Sequence, residues 1–112
     1  MAIYLMTTTP KKLLSTFKKA IDDGHVTTWA YDQDGDFTHT PPQWNKKAWL
    51  RPSVSEGSYL ALNTTPPNST HITWPVYAVF QGRFIESMIE HCHDLFTEAR
   101  ATPKPANADR VS

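Results

Sequence analysis

The chain has 112 residues, 39% of them hydrophobic, and its eleven basic and eleven acidic side chains cancel to a formal net charge of zero. That length suits one domain with a modest core and no need of disulfides, and a neutral chain has no global electrostatic reason to seek nucleic acid or a membrane surface. The single cysteine, Cys92, excludes an intrachain disulfide and suits a reducing cytoplasm, while no apolar run is long enough to span a bilayer and the short apolar start lacks the basic residue of a signal peptide.

Ala2–Met6 reads as a short strand. Thr9 is placed to cap a helix whose first position is taken by Pro10, where a missing N–H costs nothing. Leu13, Leu14, Phe17, Ala20 and Ile21 make one apolar stripe at helical spacing. Gly24 suits the left-handed residue after the last turn, so the helix is expected over Pro10–Asp22. Val26–Tyr31 is β-branched and aromatic, which predicts a strand. Asp32–Asp36 turns it and Phe37–His39 returns. A three-residue loop with Gly35 in the left-handed position sets Tyr31 opposite Phe37 and Trp29 opposite His39. That register groups the aromatics on one face and is preferred to a two-residue Asp34-Gly35 loop.

Thr40–Lys46 reads as a loop, Ala48–Ser53 as a strand, Ser55–Gly57 as a turn and Ser58–Asn63 as the returning strand. The expected register sets Leu50 opposite Leu62 and Pro52 opposite Leu60. Ala48, Leu50, Leu60 and Leu62 then form the buried face, and Trp49, Arg51, Tyr59 and Ala61 point the other way. Pro52 marks an edge or a bulge. The alternation of Ile72, Trp74, Val76, Ala78 and Phe80 predicts a strand over His71–Phe80, interrupted near Pro75. One long helix from Val76 ranks second, because Gly82 and the β-branched run disfavour it. A helix is expected over Gly82–Ala99, with Phe84, Ile85, Met88, Ile89, Cys92, Leu95 and Phe96 on its apolar stripe. Residues 101–112, rich in Pro, Ala and Asn, read as a disordered tail.

The resulting order is helix, four to five antiparallel strands, helix. This is an α+β fold, expected as a two-layer sandwich over residues 1–100 with both helices on one sheet face. Metal and catalytic patterns are weak. Asp32, Asp34 and Asp36 resemble the start of a calcium loop, but Gly35 is fourth and Gln43 twelfth where that loop needs glycine sixth and Glu twelfth. His91-Cys92-His93 does not converge, since helix positions two apart face different ways. Asp32 or Asp36 with His39 is the one candidate acid–base pair, across the hairpin. Arg83 is expected in a salt bridge. No metal and no cofactor are expected.

The leading reading is a small cytoplasmic non-enzymatic protein that binds a macromolecular partner, most simply another protein or a second copy of itself. Regulators, inhibitors and accessory factors are of this kind. The candidate contact residues are Trp49, Arg51 and Tyr59, joined by Trp29 and Tyr31 of the neighbouring hairpin, because Trp, Tyr and Arg dominate binding hot spots. One alternative is a nucleic-acid module using Lys11, Lys12, Lys18, Lys19, Lys46 and Lys47. The other is a small enzyme or ligand-binding domain with a pocket between sheet and helices.

Overall fold

The structure, a computed structural model, describes residues 2–67 and 71–103. Within them two helices and six strands form one α+β domain. The elements are β1 (Ala2–Met6), α1 (Pro10–Asp22), β2 (Trp29–Tyr31), β3 (Phe37–His39), β4 (Trp49–Ser55), β5 (Tyr59–Thr65), α2 (Trp74–Cys92), a 3-10 turn (His93–Leu95) and β6 (Glu98–Ala101). The sheet is antiparallel throughout, in the order β2-β3-β4-β5-β1-β6. It therefore has six strands rather than the expected four to five, and β1 is an inner strand between β5 and β6.

Helix α1 has the expected bounds. Pro10 lies in its first turn, and Thr9 is the residue before it but makes no side-chain cap. Instead the Thr9 N–H donates to Thr7 Oγ1 at 3.1 Å, so the preceding residue orders the entry. Leu13 and Phe17 are fully buried.

The β2–β3 hairpin has the expected register, with Tyr31 opposite Phe37 and Trp29 opposite His39. Asp32 sets it. Its Oδ1 accepts the N–H of Asp34 at 3.0 Å and of Asp36 at 2.9 Å, the local bonding that makes Asp a turn residue. Gly35 takes φ 84°, which only glycine adopts freely.

The β4–β5 hairpin differs from expectation. Pro52 lies opposite Leu62, and Leu50 opposite Thr64. Ser55 pairs with Tyr59, so the connection is Glu56–Ser58, one residue later than read. The Ser58 N–H donates to Ser55 O at 3.0 Å across it. The register therefore slides by two residues, and a slide of two preserves every side chain's face. Ala48, Leu50, Leu60 and Leu62 are all fully buried, as expected. Strand β3 meets β4 at Phe37 and Leu50 alone, so Arg51–Ser55 has only β5 beside it among the described residues. Pro52 sits in this edge-like stretch, where proline is tolerated.

The C-terminal third needs correction. The segment expected as a strand over His71–Phe80 is helical from Trp74. The period-two alternation hid a second pattern. Tyr77, Phe80, Phe84 and Met88 recur at three and four residues, and all are buried. Thr73 is extended (φ −79°, ψ 156°) and Pro75 lies in the first turn, which pre-sets the helix. Gly82 sits on the outer surface, where a missing Cβ loses no packing. The helix then stops at Cys92 instead of Ala99, and Glu98–Ala101 pairs with β1 as an edge strand. Ala101 thus belongs to the sheet and not to a tail; residues 104–112 of that expected tail lie outside the described residues.

The core is an aromatic cluster. Phe17 of α1 meets Phe37 at 5.6 Å and Phe84 of α2 at 5.2 Å. Trp29 meets Phe80 and Phe84 edge to face at 5.6 and 5.1 Å. Offset and edge-on ring pairs add about 0.5–1.5 kcal/mol each beyond the area they bury.

Candidate interaction face

Strand alternation sends Trp49, Arg51, Ser53, Tyr59, Ala61 and Asn63 to the sheet face opposite Leu50, Leu60 and Leu62. Arg51 and Ser53 are exposed, and Trp49, Tyr59 and Asn63 are half-buried. Tyr4 and Met6 of β1 join them, because their register partners are Ala61 and Tyr59. Tyr4 and Tyr59 meet edge to face at 5.2 Å. Ala61, opposite Tyr4, is 3% exposed, so this face is a continuous surface with little free room between its side chains.

Arg51 is held in place. Its Nε donates to Asp36 Oδ1 at 3.2 Å and its Nη2 to Oδ2 at 2.8 Å, a two-point grip that fixes the guanidinium plane. The carboxylate is covered, 7% exposed, while the Arg51 side chain is 61% exposed. Asp36 first, then the nearby Asp34 and Asp32, push the Arg51 pKa up further, so the cation is permanent. The remaining donors face water.

Beside this pair a groove of about 710 Å³ runs between the Asp32–Asp36 turn, Lys46, Trp49, Arg51 and the Thr65–Pro67 segment. Lys46 has φ 61°, the one positive φ outside glycine among the described residues. Such a backbone costs on the order of 1 kcal/mol and persists only when its surroundings impose it. Here Thr38 does so. Its Oγ1 accepts the Lys46 N–H at 3.0 Å and donates to Ala48 O at 3.0 Å, which ties the loop end to the start of β4. The groove thus combines a guanidinium, an ammonium, carboxylates and an indole on a fixed backbone. That is hydrogen-bonding and stacking chemistry.

The expected contact residues divide. Trp49, Arg51 and Tyr59 share this face. Trp29 does not: it is 1% exposed and packs on Phe80 and Phe84. Tyr31 lies on the α1 side, where its hydroxyl donates to Asp22 Oδ1 at 2.6 Å and Lys18 Nζ lies 5.3 Å from its ring centre. The same alternation that grouped Trp29, Tyr31, Phe37 and His39 puts that group inward. Tyr4 was missed, and Lys46 was a candidate only as one of the lysines of the nucleic-acid alternative. Tyr4 follows from the alternation of Ile3 and Leu5 inward against Tyr4 and Met6 outward, once β1 is placed inside the sheet. Nothing in the residue sequence places Lys46 beside Trp49 and Arg51.

The candidate acid–base pair does not form. Asp36 turns to the Arg51 face, while His39 turns to the helices and bonds Thr28 O through Nδ1 at 2.7 Å. His93 Nδ1 bonds Ile89 O at 2.9 Å, and Cys92 is buried, which pushes its thiol pKa up. Among the described residues no three His, Cys, Asp or Glu side chains gather closely enough to hold a metal ion, and no helix is long and apolar enough to cross a membrane. Arg83 pairs with Glu86, Nη1 to Oε1 at 3.2 Å, one turn along α2. No protein-family model, curated protein or solved structure matches the chain.

Proposed function

We propose that the protein is a non-enzymatic binding protein whose sheet face, centred on Trp49, Arg51 and Tyr59, docks on a protein partner in a regulatory, inhibitory or accessory role. The observation that carries this reading is the company Arg51 keeps. A guanidinium immobilised by a covered carboxylate shares a groove with a half-buried tryptophan, on the face away from Phe37, the ring that both helices contact, and the Tyr4–Tyr59 pair lies on the same face further along β5 and β1. Anchors that are already ordered lose little conformational entropy on binding. They are also the residue types that dominate hot spots.

The nucleic-acid reading is less well supported. Three aspartates crowd Arg51, which repels a phosphate backbone. Lys11 pairs with Glu56 and Lys19 with Asp23, so the α1 lysines do not form a free basic stripe.

Photo-crosslinking from a benzophenone amino acid tests the reading. It is placed at Ser53 on the proposed face and, for comparison, at Lys12 on the exposed side of α1. In an extract of the cells the protein comes from, Ser53 is expected to capture a discrete protein, or a second copy of the chain, and Lys12 is not. Arg51→Glu should abolish the product. Equal capture from both positions, or none from Ser53, contradicts the proposal.

A further inference from the structure

A second place in the molecule holds polar groups without partners, on the opposite side of the sheet. Between the Pro41–Trp44 loop and the middle of α2 lies a pocket of about 280 Å³, lined in part by His39, Trp44, Arg83, Glu86 and Ser87. His39 is 5% exposed and Ser87 8% exposed. Both are polar and more than nine-tenths buried.

The state of His39 follows from its bonds. Nδ1 lies 2.7 Å from Thr28 O. A carbonyl oxygen only accepts, so Nδ1 carries the proton and Nε2 of the neutral ring is a bare acceptor. The ring cannot easily turn away, because Trp29 stacks on it at 4.6 Å and Phe80 abuts it at 6.1 Å. Burial lowers the His39 pKa, with Arg83 adding to that and Thr28 O and Glu86 opposing it. Among the described residues neither Nε2 nor the Ser87 hydroxyl has a hydrogen-bond partner, and neither is sealed from solvent. They are also not bonded to one another. Leaving such groups unpaired is unfavourable, and both border the same cavity. Arg83 borders it too. Its Nη1 serves both oxygens of Glu86, at 3.2 and 3.3 Å, while Nε and Nη2 remain for an anion.

We propose that this pocket binds a small organic acid that carries, besides its carboxylate, an O–H or N–H donor. The carboxylate meets the free edge of Arg83. The donor reaches His39 Nε2, and the Ser87 hydroxyl donates to the ligand. Trp44 supplies an apolar wall. The volume, about 280 Å³, lies at the small end of ligand pockets and suits an occupant of about the size of an amino acid. Glu86 beside Arg83 keeps the local charge near neutral, which favours a monoanion over a dianionic phosphate. The site is independent of the sheet face, so its failure leaves that reading untouched.

The test uses full-length protein labelled with 15N-histidine and a long-range 1H–15N spectrum of the imidazoles. Before any addition, the His39 signals should show protonated Nδ1 and bare Nε2. Glycolate should shift Nε2 saturably. Acetate, which lacks the donor, should leave Nε2 in place at the same ionic strength. Arg83→Gln, a change at an exposed side chain, should weaken glycolate binding about tenfold or more. A protonated Nε2 at the outset overturns the proposal. So does no saturable shift with glycolate, an undiminished response in Arg83→Gln, or inorganic phosphate binding more tightly than glycolate.

Discussion

The two faces of the sheet carry aromatic residues in similar number but use them differently. On one, Trp29 and Phe37 are closed over by Phe17, Phe80 and Phe84, and every one of these side chains is at most 1% exposed. On the other, Trp49, Tyr4 and Tyr59 lie half-buried on a face that also carries a guanidinium in water, beside Trp49. The first arrangement gains its free energy from burial within the chain. The second keeps area and hydrogen-bonding groups in reserve. Aromatic richness alone thus does not separate the two faces; the exposed guanidinium beside Trp49 does.

That contrast is sharpest in stability. Phe84 contacts Phe17, Trp29 and Phe37 at once, so Phe84→Ala is expected to remove about 3–5 kcal/mol. Trp49→Ala should remove about 1 kcal/mol or less, because only part of its area is buried. Urea unfolding of the two variants measures both. Comparable losses would mean that Trp49 belongs to a second core and that the faces do not differ in kind.

The margin of the closed face should respond to pH. His39 is lowered from the ordinary 6.5, chiefly by burial. Its neutral form is the one the fold accommodates, so the unfolded chain binds the proton more readily. Stability from this group is complete above about pH 6.5 and is lost as pH falls through the lower folded value. In His39→Gln the same region of the stability–pH curve should be flatter. An unchanged slope would show that another group is responsible.

The smallest effect is expected on the outside of α2. Gly82 is helical and exposed, and a Cβ there meets nothing within 4 Å. Gly82→Ala should therefore stabilise the protein by about 0.5–1 kcal/mol. A loss of stability would place an unsuspected contact on that surface.

Much of this architecture is legible in the sequence where local chemistry decides it. Pro10, the apolar stripe and Gly24 bound α1 without help from the rest of the chain. Asp32 and Gly35 set the first hairpin, and its register follows. The second hairpin has a less decisive turn: Ser55, Glu56 and Ser58 all suit one, so the register slid by two while the faces stayed right. The C-terminal third is decided by tertiary packing. His71–Phe80 fits strand and helix periods alike, and only the aromatic pocket formed by Phe17, Trp29 and Phe37 selects the helix, which buries Phe80 and Phe84 together. Glu98–Ala101 has no strand signal of its own, because an edge strand of four residues takes its conformation from β1. For the interaction face, alternation along β4 and β5 was enough to place Trp49, Arg51 and Tyr59. Its partner strand β1, and hence Tyr4, required knowledge of the sheet order.

The central claim is that the Trp49–Arg51–Tyr59 face recognises a protein. Its most direct test is the affinity of the partner captured from Ser53, measured by calorimetry against wild type and Trp49→Ala, with the fold of the variant checked by its unfolding curve. The account predicts binding weakened about tenfold or more, with stability nearly unchanged. Equal affinity in a folded Trp49→Ala protein would contradict it.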